Sequence, residues 1–183
     1  LLGLLALVPM VWLAGCGGSS GGNASVRLVN ASSGYASLDL YVADTIQQTG
    51  VATGAAGSFA SVSSGTVTTA LAATTNSTYL LSQTRNFAKD TKYSVVAYGW
   101  QGGLRSVVLT ENIAAADANK TKVGILNTAT DAGSLDVYLT GDTDLLSAST
   151  PVATAITGGS QSSYAAVVSG TYRLRVTATN NTN

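Results

Sequence analysis

Two stretches of this chain spell the same strand sequence twice. Residues 26 to 42 read VRLVNASSGYASLDLYV and residues 123 to 139 read VGILNTATDAGSLDVYL, an offset of 97 without a gap. Val26/Val123, Asn30/Asn127, Ser37/Ser134, Leu38/Leu135, Asp39/Asp136 and Tyr41/Tyr138 coincide, with aliphatic exchanges between them. A second block follows in the same order. SFASVSSGTVTTALAATTN at 58 to 76 aligns with SYAAVVSGTYRLRVTATNN at 163 to 181, where the offset has grown to 105. The later copy therefore holds a longer insertion, expected within 140 to 160. Whatever unit this chain folds into, it must build that unit from the same blocks twice.

The period inside each block is two. Leu38, Leu40 and Val42 alternate with Asp39 and Tyr41, and Val67, Thr69 and Leu71 alternate with Thr and Ala. Such alternation, rich in Val, Thr and Tyr and punctuated by Gly and Ser, predicts half-buried antiparallel strands. Further strands are expected near 79 to 84, 92 to 100 and 104 to 110. The pattern predicts no helix beyond one turn in the Ala-rich 113 to 118. Short strands at this spacing point to an all-β chain of tandem immunoglobulin- or fibronectin-III-like antiparallel β-sandwiches. The first would occupy 24 to 112 and the second 122 to 183, with a linker at 113 to 121. The second copy stops near the counterpart of Asn76, so its sandwich is expected to be incomplete at the C-terminus. One local run sharpens the fold class. Phe87-Ala88-Lys89-Asp90-Thr91-Lys92-Tyr93 resembles the Leu-x-Pro-Gly-Thr-x-Tyr run of fibronectin type III modules, with Pro and Gly replaced. Tyr93 would then form a tyrosine corner, its hydroxyl bonding back to the upstream backbone.

Charge excludes whole classes of function. Nine basic and nine acidic residues cancel, and charged residues make up 10% of the chain. So neutral a surface offers little to a phosphate backbone, and nucleic acid is not an expected partner. No histidine is present, which removes the commonest general base and zinc ligand and, with them, Ser-His and Cys-His catalysis. Glu111 is the sole glutamate, and no carboxylate pair stands out as acid and base. No catalytic residue, cofactor or metal site is assigned, and an enzyme is not expected.

The front of the chain carries an address. Residues 1 to 14, LLGLLALVPMVWLA, are apolar but too short to span a bilayer, which takes about 20 such residues. They read as the core of a secretory signal over 1 to 15, lacking its basic start. Leu13-Ala14-Gly15-Cys16 resembles the bacterial lipobox. The resemblance implies acylation of Cys16, which becomes the mature N-terminus and the attachment to the membrane. Two or more acyl chains anchor a protein stably where one does not. Residues 16 to 23 then serve as lipidated Cys and Gly/Ser tether, and Gly17 after the Cys favours the outer membrane of a bacterial envelope. Cys16 is the only cysteine, so the folded part has no internal disulfide.

The repeated run, together with SGTYRLRVT, resembles a bacterial family of unknown function, DUF4397. Its members typically read V-R-x-x-H-A-S-P-x-x-x-x-V-D-V-Y-V, followed by a Gly-Thr-Tyr strand. The resemblance covers 26 to 183 and implies exported, often tandem, immunoglobulin-like modules of cell-surface proteins, with no reaction attached. This chain departs from the pattern at the His, which is Asn30 and Asn127, and at the Pro, which is Ser33 and Thr130.

Three groups of residues are candidates for function. Asp39 and Tyr41, with Asp136 and Tyr138, place an acid and a phenol on one strand face in each copy, and are expected to fix strand register. Asp131, Asp136, Asp142 and Asp144 offer oxygen ligands without the ordered spacing of a calcium loop, and solvated loop acids are the better reading. Val96, Tyr98 and Trp100 share a strand face that runs into the turn at Gln101-Gly102-Gly103. If Tyr93, Val95 and Ala97 face the core, Tyr98 and Trp100 face outward and suit glycans or an envelope protein, unless a neighbouring domain or a second buried face covers them. The expected function is a lipid-anchored structural, adhesive or scaffolding module of the cell envelope. The alternative is a carbohydrate-binding module that positions a catalytic domain.

Overall fold

The computed structural model describes residues 21–111 and 113–182, and these are organised as β-strands and turns with one short 3-10 turn. Eight strands build the first unit: β1 (Asn23–Ser32), β2 (Ser37–Val42), β3 (Thr45–Ala52), β4 (Ala60–Ser63), β5 (Gly65–Ala73), β6 (Tyr79–Phe87), β7 (Lys92–Gly99) and β8 (Arg105–Thr110). They form two four-stranded sheets, ordered β4-β1-β7-β8 and β3-β2-β5-β6. The expected strands after residue 79 are therefore present, and 113 to 117 make no helical turn. The strand pairs of the described residues are antiparallel, as expected, with one exception. β1 and β7 run parallel from Ser25↔Lys92 to Ser32↔Gly99, because the chain crosses between sheets several times before β7 returns to β1. A parallel pair needs such a long crossover, and the intervening strands supply it.

Strand alternation builds the core between these sheets. Ala24, Val26 and Leu28 of β1 point inward with Leu38, Leu40 and Val42 of β2, Leu71 of β5, Phe87 of β6 and Tyr93, Val95 and Ala97 of β7. The same inward face of β1 continues into Asn30 and Ser32, which are 0% and 1% exposed. One end of the sandwich is thus closed by buried polar side chains rather than by aliphatic ones. Buried polar groups must find partners, and these two do, as described below.

The second set of strands repeats the first in register. It comprises β9 (Lys120–Val123), β10 (Leu135–Thr140), β11 (Ala153–Ile156), β12 (Ala165–Val168) and β13 (Arg173–Ala178). β1 pairs with β4 from Asn23↔Ser63 to Val26↔Ala60, and β9 with β12 from Lys120↔Val168 to Val123↔Ala165. Leu38↔Ala73 between β2 and β5 returns as Leu135↔Ala178 between β10 and β13. Even the isolated bridge Val29↔Ala56 recurs as Leu126↔Gln161. The extra residues of the later copy fall between β10 and β11, where a short 3-10 turn at Leu146–Ala148 replaces the tight turn at Ala43-Asp44.

Strands β9–β13 correspond to β1–β5, and among the described residues no strand corresponds to β6–β8. The energetic consequence is visible at matched positions. Leu71 of β5 is 2% exposed, whereas its counterpart Val176 of β13 is 52% exposed. The core of the second set is accordingly small, with Val137, Ala153 and Ile156 buried and Ile125 and Val152 packed on them.

Candidate functional site

The repeated polar residues serve the backbone. β2 and β3 carry a bulge between Leu38 and Leu40, and β10 and β11 carry the same bulge between Leu135 and Val137. A bulge leaves an N–H without a ladder partner. Asp39 sits at that point, and its Oδ1 accepts from the Gly50 N–H at 2.7 Å and from Thr74 Oγ1 at 2.6 Å. Asp136 does the same in the second set. Its Oδ1 accepts from the Ala155 N–H at 2.8 Å and its Oδ2 from the Asn180 N–H at 2.9 Å. Those two backbone donors, Ala155 first, hold the Asp136 carboxyl below the usual carboxylate range despite its desolvation. Tyr41 packs its ring on Tyr79, with centroids 5.0 Å apart, and Tyr138 is buried on β10.

Asn30 and Asn127 each organise one loop. Asn30 Nδ2 donates to the carbonyls of Val51 at 3.0 Å and Tyr35 at 3.2 Å, while its Oδ1 accepts from Ser32 N at 3.1 Å and Ser32 Oγ at 2.6 Å. Asn127 Nδ2 donates to Ile156 O at 2.9 Å and Gly133 O at 3.4 Å, and its Oδ1 accepts from Ala129 N at 2.9 Å. Their side chains thereby set the shapes of loops 33–36 and 128–134. Tyr93 is likewise bonded to the backbone upstream of it. Its hydroxyl accepts from the Ala88 N–H at 3.0 Å, and its ring lies 4.9 Å from that of Phe87.

The acids of the second copy do not converge. Asp136 faces the β11 bulge, Asp144 Oδ2 accepts from the Gly141 N–H at 2.7 Å, and Asp131 lies on loop 128–134. Among the described residues no three His, Cys, Asp or Glu side chains gather as metal ligands. Glu111 is held on the outer face of the first sheet, where it receives a hydrogen bond from Arg27 Nη2 at 3.1 Å. Among the described residues no helix is long and apolar enough to cross a membrane. Cys16, the lipidation candidate, lies outside the described residues.

The aromatic strip of β7 separates into two fates. Tyr98 is only 7% exposed, so the expectation of a free outward ring fails there. The turn at Gly159 in the second copy covers it, so closely that a β-carbon on that glycine would meet Tyr98 Oη. Val96 is buried too, at 4%. Trp100 keeps half of its surface in solvent. Its indole rests against Gly103, and the hairpin that carries it is tied down by the Gly102 N–H donating to Tyr35 Oη at 3.1 Å and the Ser33 N–H donating to Gly99 O at 2.9 Å.

Trp100 borders a cleft of about 300 Å³ between the two copies, lined also by Ala31, Ser33, Gly99 and residues 128–131. One wall is the loop shaped by Asn30, the other is the equivalent loop shaped by Asn127, and the β7–β8 hairpin closes the side. The residues that line this cleft from the second copy were not legible as a site, because nothing in their local sequence differs from solvated loop. The one signal was the position of both Asn residues at the start of matching loops.

Fold and cleft together define a β-sandwich protein whose repeated polar residues maintain the backbone and whose loops line the cleft. The chain belongs to the family described as Domain of unknown function (DUF4397), whose model matches residues 24–138, more than half of its length. No curated protein matches it.

Proposed function

We propose that the chain is a lipid-anchored module of the bacterial cell envelope, made of tandem immunoglobulin- or fibronectin-III-like repeats, with a structural, adhesive or scaffolding role and no catalysis. The observation that carries this reading is how the distinctive polar side chains are used. Asp39, Asp136, Asn30 and Asn127 are spent on backbone N–H and C=O groups of their own repeat, as expected of residues that maintain a scaffold. The cleft that remains open beside Trp100 is lined mostly by loops, the usual place for recognition on a rigid β-scaffold. The Leu13-Ala14-Gly15-Cys16 run supplies the attachment, and Gly17 to Gly22 the tether, with an outer-membrane destination. Expression in a bacterial host with radioactive palmitate tests the anchor. Labelled protein in the membrane fraction is the expected result, and Cys16→Ser abolishes the label. Equal labelling of that variant refutes the attachment. The carbohydrate-binding alternative draws on a separate observation, the half-exposed Trp100 at the rim of the cleft.

A further inference from the structure

We propose that the cleft between loops 33–36 and 128–134 is a binding site for a neutral saccharide, with Trp100 as its stacking surface. The inference rests on the carbohydrate-binding alternative above and deepens it by placing the site and naming the ligand as a neutral saccharide. Three observations lead to it. The first is the chemistry of the lining. Ser33, Thr128 and Thr130 bring hydroxyls, Asp131 brings a carboxylate, and Trp100 brings an exposed indole. A ring whose edge is hydroxyls and whose face is C–H groups needs that combination of hydrogen-bonding groups and one flat apolar surface.

The second is charge. No Lys or Arg lines the cleft, while Asp131 does. Phosphate, sulfate and carboxylate ligands call for arginine, lysine or a nest of N–H groups, so an anionic ligand is disfavoured here. The volume of about 300 Å³ sits at the small end of ordinary ligand sites, suited to one or two sugar rings of a longer chain passing through an open cleft.

The third is rigidity. Each wall is set by a buried asparagine, and the Trp100 hairpin is held by Tyr35 and Ser33. Elsewhere along the seam Tyr98 packs under Gly159, so the second copy also touches the first outside the cleft. A site that is already ordered loses little freedom when the ligand arrives, which matters most for weakly binding ligands such as sugars.

The chain carries two tryptophans, Trp12 and Trp100, so the full chain with Trp12→Phe reports on Trp100 alone. Cellotetraose, chitotetraose and mannotetraose are titrated while indole emission is followed, with heparin tetrasaccharide as the anionic comparison. At least one neutral oligosaccharide is expected to saturate the signal with a Kd of about 1 mM or tighter. Trp100→Ala, followed by saturation-transfer NMR, is expected to weaken binding at least about tenfold. Ala129→Phe fills the cleft from the other wall and leaves the Trp100 side chain itself in place, and is expected to do the same. It keeps the test decisive if Trp100→Ala perturbs the hairpin. The proposal is overturned if no neutral oligosaccharide saturates by about 10 mM, if heparin alone binds, or if binding survives Ala129→Phe unchanged. Palmitate labelling of Cys16 is read independently, so loss of the saccharide site and loss of the anchor are distinguishable results.

Discussion

Replacing Asn30 by Asp changes one atom's chemistry at the most demanding polar position of the chain. Asn30 is completely buried, and its amide nitrogen donates to two carbonyls, Val51 O at 3.0 Å and Tyr35 O at 3.2 Å. In Asn30→Asp the shape is kept, and Oδ1 still accepts from Ser32 N and Ser32 Oγ. The second oxygen now faces two carbonyl oxygens. In the anionic form two hydrogen bonds are lost, each worth about 1 kcal/mol net, and Val51 O is left without its buried side-chain donor at about 1–3 kcal/mol, while Tyr35 O still accepts from Thr53 Oγ1 at 2.7 Å. Val51 O is the deeper of the two, Tyr35 O being partly accessible, so a total of about 3–5 kcal/mol is expected. A buried carboxyl facing carbonyls holds its proton, because the neutral acid donates to Val51 O where the anion cannot. Its folded pKa therefore lies above the unfolded value. The sign follows: the penalty is smallest below the unfolded pKa and grows as pH rises through the folded one. Urea unfolding of the full chain, followed by far-ultraviolet circular dichroism at about pH 4 and pH 7, measures both quantities. A variant within about 0.5 kcal/mol of the parent at pH 7, with an unchanged denaturant slope, refutes the idea that Asn30 holds this end of the sandwich together.

Three further outcomes are expected. Tyr93→Phe removes the acceptor of the Ala88 N–H and destabilises the first unit by about 1–3 kcal/mol in the same unfolding assay. Acid should loosen the pairing of β10 with β11. The folded pKa of Asp136 is depressed by the Ala155 and Asn180 N–H groups, so the stability it adds is present above the unfolded pKa and is lost as pH falls through the folded one; amide NMR of β10 and β11 during an acid titration, with Asp136→Asn as the pH-insensitive comparison, measures this. At the paired bulges, Gly50 has φ +69° and Ala155 has φ +52°. Ala155→Gly is therefore expected to stabilise by about 0.5–1 kcal/mol, and Gly50→Ala, whose β-carbon would meet no neighbour, to destabilise by about 1 kcal/mol from backbone conformation alone, both read as shifts in urea midpoint.

Why part of this molecule was readable in its sequence and part was not comes down to the range of the forces involved. A period of two is a local property, so strands such as β2 and β10 announce themselves, and the duplication carries the pairing of β2 with β5 directly onto β10 with β13. The roles of Asp39 and Asp136 follow the same logic one step on. Their recurrence pointed to architecture, and the physical reason is the bulge N–H that each satisfies, at Gly50 and Ala155. The parallel pairing of β1 with β7 was invisible because its partners lie 67 residues apart and alternate identically in either direction. Tyr98 and Trp100 show the limit most sharply. They stand two residues apart on one face, and alternation assigns both to the outside. Yet one is sealed beneath a glycine turn about sixty residues downstream, while the other, just past the strand end, escapes into solvent. Which of two neighbouring aromatic rings is free was decided by the absence of a side chain at Gly159. A β-carbon there would meet Tyr98 Oη, so the Tyr98 ring or the turn would have to shift where the two copies touch.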